Sequence, residues 1–293
     1  RSHAGVDKIR ACAHTTADAP ANISSASGGT CDSCAAARIR RAPHSGSLDT
    51  PAPAPGKLHV DIKEFIISVS GHRYVVFAID EYTRYVFVDM IKLKSEVLAA
   101  VKRIKAAFDA TVGTPIDDLG RPLPKPTVSW VHSDREGGLT SVNFKEFRSA
   151  AAIHHTVSPP HDHDLNPIAE RTIGLISETC SAMRHQSDMP ANRWPHLIAY
   201  AVDWHNGMTS SAGSSTANAN ITPAQRLTLR PPKVMDLATF GCRAVALLPP
   251  KEQHKPSLKA RGAVGVFLGR SLNSRGCWDV LVGGDGPPRV IST

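Results

Sequence analysis

No apolar run in this 293-residue chain approaches the roughly 20 residues needed to cross a bilayer, and no stretch near its start is built like a secretory signal. A membrane protein and an exported one are set aside on that basis, and an intracellular protein is expected. Cysteine is scarce: Cys12, Cys31, Cys34, Cys180, Cys242 and Cys277, of which only Cys31 and Cys34 stand close together. That spacing excludes a disulfide framework. A lone Cys-x-x-Cys in a reducing compartment suggests half of a zinc site or a redox pair. An initiator methionine is also missing, and Arg1-Ser2-His3 reads as the interior of a longer chain.

What is present describes a folded, soluble protein. Hydrophobic residues make up 41% and charged residues 20%, with a mean hydropathy of -0.18. Lysine and arginine number 34 against 26 acids, giving a formal charge of +8 and an isoelectric point near 9.3. This balance favours a polyanionic partner such as nucleic acid, although a solvated basic surface accounts for it equally well.

Composition divides the chain. Residues 1–45 are rich in Ala and Ser, and Pro51, Pro53 and Pro55 then mark an extended linker. From Leu58 the residues alternate: Leu58, Val60 and Ile62 against His59, Asp61 and Lys63, which predicts a strand with one buried and one polar face. Tyr74 to Ile79 and Tyr85 to Ile91 continue this as an antiparallel meander. Ser95 is the expected N-cap of a helix reaching about Thr111, with Val97, Val101, Ile104 and Phe108 at helical spacing. A strand at Val128 to His132, a helix from Val142 to Ala152, a strand at His154 to Val157 and helices over 167–206 complete an α/β pattern. Beyond Phe240, short apolar runs at Ala244 to Leu248, Val264 to Leu268 and Trp278 to Val282 predict a small β-barrel.

Three acids stand out by position. Asp61 lies in the first strand, Asp134 follows a later one, and Glu170 opens a helix 35 residues beyond Asp134. Phosphoryl transfer commonly uses two metal ions about 3.5–4 Å apart, and carboxylates suit hard cations such as Mg²⁺ or Mn²⁺. Taken singly, Asp61 could be a solvent-facing strand residue, Asp134 a turn former and Glu170 a first-turn acid favoured by the helix dipole. The helix itself is amphipathic. Ala169, Ile173, Ile176, Cys180 and Met183 form a buried stripe, and Glu170, Gly174, Ser177, Ser181 and Arg184 a small, polar face fit for a DNA backbone.

The flanking residues extend this pattern. Leu58-His59-Val60-Asp61, His132-Ser133-Asp134-Arg135 and Asn166-Pro167-Ile168-Ala169-Glu170-Arg171 resemble, in order and spacing, the acidic signature of copia-type LTR retrotransposon integrases. These are relatives of retroviral integrases within the RNase H-like superfamily. Thr222-Pro223-Ala224, Phe240-Gly241-Cys242 and Gly265-Val266-Phe267-Leu268-Gly269 resemble the family's continuation. Two places depart from it. Arg135-Glu136-Gly137-Gly138-Leu139 stands where a Gly-rich turn followed by Glu-Phe is usual, and Pro167 where Gly is common.

The resemblance implies an RNase H-like mixed α/β sheet with flanking helices over 56–207, a helical connection over 208–239 and a Src-homology-3-like barrel over 240–293. It implies a zinc module over 1–45, in which His3, Cys31 and Cys34 resemble three of four ligands and the first His lies upstream. The implied activity is metal-dependent insertion of element DNA into target DNA by strand transfer. Asp61, Asp134 and Glu170 would hold Mg²⁺ or Mn²⁺, with Zn²⁺ in the intact N-terminal module. An RNase H-like nuclease and a catalytically impaired DNA-binding fragment are the alternatives. DNA contacts are expected at Arg171, Arg184, Lys251, Lys255, Lys259 and Arg261. His161, Asp162, His163 and Asp164 suggest a solvated loop touching phosphates, and Trp194, Leu197, Ala201 and Trp204 a packed helix face. The family further implies a homo-multimer and a nuclear location with a cytoplasmic particle stage.

Overall fold

The computed structural model describes residues 52–134, 137–158, 166–208, 221–232, 238–250, 261–274, 276–283 and 288–293. These fall in one compact unit, Pro51–Thr293. The zinc-module expectation, with His3, Cys31 and Cys34, lies outside the described residues, as do Lys251, Lys255, Lys259 and the run from His161 to Asp164.

The first sheet is built from β1 (Lys57–Glu64), β2 (Tyr74–Asp80), β3 (Val86–Ile91), β4 (Trp130–Ser133) and β5 (His154–Val157), in the order β3-β2-β1-β4-β5. The first three strands are the expected antiparallel meander, whereas β4 runs parallel to β1, and β5 parallel to β4. Parallel neighbours need crossovers. One runs through α1 (Val97–Thr111) and one through the short α2 (Gly137–Thr140) and α3 (Val142–Ala150).

Strand alternation divides the side chains between two cores. Leu58, Val60, Ile62, Val76 and Ala78 pack with Val97, Val101, Ile104 and Phe108 of α1 and Phe144 of α3. Val75, Phe77 and Ile79 face the other way, onto Ala169, Ile173 and Ile176 of α4 (Pro167–Ser187) and Trp194, Ile198 and Ala201 of α5 (Trp194–Gly207). The buried stripe expected on α4 is present, with Cys180 and Met183 packed against it. The sheet therefore lies between two helical layers, and the alternation on β1 means something other than a wet face. Asp61 is only 9% exposed.

Helix α1 corrects one expectation. Ser95 sits inside a 3-10 turn, Lys94–Glu96, and Glu96 rather than Ser95 occupies the N-cap. The Glu96 carboxylate accepts from the N–H groups of Lys92 and Leu93, at 2.8 and 3.1 Å, so the acid one residue on closes the preceding turn. Trp204 is another correction: Trp194, Leu197 and Ala201 are buried, but Trp204 is 41% exposed.

After α6 (Pro223–Thr228), four strands form an antiparallel sheet: β6 (Arg243–Leu247), β7 (Gly262–Arg270), β8 (Trp278–Val282) and β9 (Arg289–Ser292), in the order β6-β7-β8-β9. The fourth strand was not foreseen, and the pairings among the described residues make an open meander. Phe267, Leu268 and Phe240 pack onto Leu197 and Tyr200 of α5, so this sheet covers the side of α5 turned away from the first sheet. Among the described residues no helix is long and apolar enough to cross a membrane.

Candidate active site

The pairing of β1 with β4 ends one residue short of two of the three acids. In the parallel pairing of β1 with β4, His59 faces His132 and Val60 faces Ser133. The next position on each chain is Asp61 and Asp134. The rings of His59 and His132 lie 5.3 Å apart, which shows that this side of the two strands is shared. Val60 faces the opposite core. Period-two alternation then puts Asp61 on the His59 side, under the layer of α4.

Helix α4 is docked on the same strand. Asn166 is its N-cap residue by backbone position, and Pro167 follows at N1, where a missing N–H costs nothing. An Asn at this place ordinarily caps its own helix. Here the side chain makes no cap bond. Its Oδ1 instead lies 2.8 Å from His59 Nδ1, and its Nδ2 donates to the carbonyl of Val60 over 3.4 Å. The Asn166 carbonyl accepts the N–H of Glu170 at 3.0 Å. Glu170 thus stands in an exposed turn of a helix whose start is fixed one residue from Asp61.

Glu81 holds the far side of His59. His59 Nε2 donates to Glu81 at 2.8 Å, and Lys57 Nζ meets the same oxygen at 3.0 Å. Burial works to raise the Glu81 pKa. The hydrogen bonds from His59, the Ala52 N–H and Lys57 overcome it and hold the carboxyl at about 2. Its neighbour Asp80 is fully buried and accepts from the Gly56 N–H and from both the N–H and hydroxyl of Thr83. Burial prevails at Asp80 and raises its pKa despite those bonds.

Behind Asp134, the Ser133 hydroxyl donates to the Asp134 carbonyl at 2.9 Å. With its one proton committed, that oxygen accepts from His155 Nε2, also at 2.9 Å. Burial, then the charge of Arg148 and the neighbouring His132 and His154, lowers the His155 pKa to about 4. His155 is therefore a neutral donor at ordinary pH.

The acids differ in their surroundings. Asp61 carries an ion pair with Lys63, 2.7 Å from Nζ to Oδ2, while Asp134 and Glu170 are exposed. Among the described residues no three His, Cys, Asp or Glu side chains form a ready metal-ligand group. Arg171 and Arg184 are exposed on α4 together with Gly174, Ser177 and Ser181, and Arg261 is exposed just ahead of β7. Sequence reasoning passed over Glu81, His155 and the docking roles of Asn166 and His59. The only local signals for them were a polar residue directly before a helix-opening proline and a His two places before a strand Asp.

No family model matches the chain. Over 244 residues, 83% of its length, it is 26% identical to the retrovirus-related Pol polyprotein from transposon RE2 and 28% identical to that from transposon RE1, both of Arabidopsis thaliana. It spans only 15% of the length of each. Among solved structures it is similar to a chain of the simian T-cell lymphotropic virus intasome in complex with PP2A regulatory subunit B56 gamma. There the identity is 17%, the coverage 98% of this chain and 96% of that one, and the TM-score 0.46. A superposition that loose has no weight for function. The polyprotein relatives bear out the resemblance read from the sequence: the chain is a homologue of the retrovirus-related Pol polyproteins of copia-type transposons.

Proposed function

We propose that the chain is the integrase region of such a polyprotein, a metal-dependent polynucleotidyl transferase with an RNase H-like core that joins element DNA to target DNA. The observation that supports this reading is the register of β1 on β4, which ends at Val60 and Ser133, one residue before Asp61 and Asp134, with the helix of Glu170 docked on the same strand. Carboxylate oxygens are the donors that Mg²⁺ and Mn²⁺ prefer, and the three acids supply only oxygen. Asp61 and Asp134 would hold the ions, and Glu170 would complete the set from its exposed turn. When bound, the ions would supply the positive charge that activates a DNA 3′-hydroxyl and stabilises the leaving oxygen.

The protein's own part is placement. Asp61 and Asp134 fix the acidic edge of the sheet, and the exposed small-residue face of α4 lets a DNA backbone approach. Arg171 and Arg184 meet phosphates there, which position the duplex without reading its sequence. Water in place of the hydroxyl gives end processing. A homo-multimer on two DNA ends, acting in the nucleus, completes the proposal. So does closure of the second sheet into a Src-homology-3-like barrel.

Changing Glu170→Gln and assaying the joining of pre-cut DNA ends with Mn²⁺ or Mg²⁺ tests it. Joining is expected to fall at least about 100-fold, since a ligand to the reacting centre is lost; undiminished joining sinks the assignment. The ion pair of Lys63 with Asp61 favours a second reading, a DNA-binding fragment without catalysis. A wild-type chain that binds DNA but joins none under either metal would establish it. Cutting without joining would establish a nuclease.

A further inference from the structure

Asp61 and Glu170 arise from elements far apart in sequence, and their relative placement needs a fixed joint. We propose that Asn166 and His59 are positioning residues that lock the first turn of α4 to β1 and thereby set Glu170 against Asp61. This rests on reading those two acids as ligands of one site.

Four observations converge on it. Asn166 stands where a side chain would cap its own helix, yet both of its polar ends are given to β1, at His59 Nδ1 and the Val60 carbonyl. The His59 ring cannot swing, because its other nitrogen is held by Glu81, which Lys57 and the Ala52 N–H hold in turn. His59 is 6% exposed and Asn166 7%, so the contacts are shielded from water, where polar pairs are strongest and misplacement is costly. The lock also reaches Glu170 through a single bond, the one from its N–H to the Asn166 carbonyl.

Apolar residues would join the helix to the strand as firmly, but without a preferred register. A polar joint of fixed geometry selects one position. Pro167 adds to this by fixing φ at the first helical residue, so the turn carrying Glu170 has little freedom of its own.

Hydrogen–deuterium exchange on the full chain, read over residues 166–175 with α5 as internal reference, tests the lock without relying on catalysis. In Asn166→Ala and His59→Ala the exchange of that segment is expected to quicken roughly 10-fold or more while α5 stays unchanged. Joining at saturating DNA should fall about 10- to 100-fold with KM for DNA unaltered, as for a catalytic group displaced by about an ångström. Asn166→Asp keeps the oxygen that meets His59 but loses the donor to the Val60 carbonyl, and should restore both only in part. Should the alanine variants fail to fold, Glu81→Leu removes the acceptor on the far side of His59 and is expected to give the same exchange signature in milder form. Unchanged exchange over 166–175, or loosened exchange with full joining, overturns the proposal. A wild-type chain that shows the exchange response but joins no DNA overturns the proposed reaction and leaves the lock standing.

Discussion

The ammonium of Lys63 lies 2.7 Å from Oδ2 of Asp61, two residues away on the same face of β1. Asp61 is nearly buried and Lys63 about half exposed, so the pair is neither fully solvated nor fully enclosed. A divalent cation held at Oδ2 of Asp61, as proposed, would compete with this ammonium. Lys63→Met removes the competitor and keeps the aliphatic stem. The Kd for Mn²⁺, read by titration calorimetry, is expected to tighten about three- to tenfold, or roughly 1 kcal/mol, in line with a partly exposed pair. A weaker or unchanged Kd would show that the cation and Lys63 do not share an oxygen.

Acid should unfold the protein in two stages, led by groups on opposite sides of β1. His155 titrates near 4 in the fold against 6.5 unperturbed. The unfolded chain takes up that proton first, so this contribution to stability is complete above about pH 6.5 and is lost as pH falls toward 4. Glu81 titrates near 2 against 4.5, and its contribution is lost between about pH 4.5 and 2. Each is worth about 1–2 kcal/mol once solvent screening is allowed for. In thermal melts across pH, His155→Gln is expected to flatten the upper stage and leave the lower one in place. A variant whose Tm falls between pH 6.5 and 4 as steeply as the wild type's would rule His155 out as the source.

Gly56 is the point at which β1 enters the sheet. Its φ is +125°, and its N–H donates to Asp80 while its carbonyl accepts from Ser129 and Trp130. A methyl group there would run into the carbonyl oxygen of Thr127. Gly56→Ala combines a strained backbone with a clash against main chain, and about 3 kcal/mol of lost stability is expected from chemical denaturation. Because the same residue anchors Asp80, a loss below about 1 kcal/mol would mean that the entry relaxes without disturbing its neighbours.

Local patterns made the elements of this fold legible. Strand alternation found β1, and apolar runs found β2, β3 and β8, to within a residue or two, and the apolar stripe of α4 matched its buried face, because each depends on residues a few positions apart. What the sequence could not reveal depends on partners far along the chain. The polar face of β1 is covered because Asn166 arrives from 107 positions away, and nothing near His59 announces it. Ser95 lost the N-cap position to Glu96, whose longer side chain reaches back to two amides. The three acids were legible as a set through the segments around them, whereas the pairing of Asp61 with Lys63 and the bond from Ser133 to the Asp134 carbonyl emerged only from the folded geometry.

Asp279 ties the second sheet to α5. It is 1% exposed, accepts from the Ser292 hydroxyl at 2.7 Å and the Leu272 N–H at 3.3 Å, and meets His196 Nε2 of α5 at 3.3 Å. Burial opposes its charge, yet the bonds from His196, Ser292, Ser271 and Leu272 hold its pKa below the usual carboxylate value. Asp279→Ala leaves those donors facing an apolar gap, a loss of about 3 kcal/mol. Phe267, Leu268 and Tyr200 still pack across the junction, so the first sheet should remain folded while the second loosens. Limited proteolysis is expected to cut the second sheet first, with the first sheet and its helices persisting as a protected core. Uniform digestion of the whole chain would instead show that the two sheets unfold as one cooperative body.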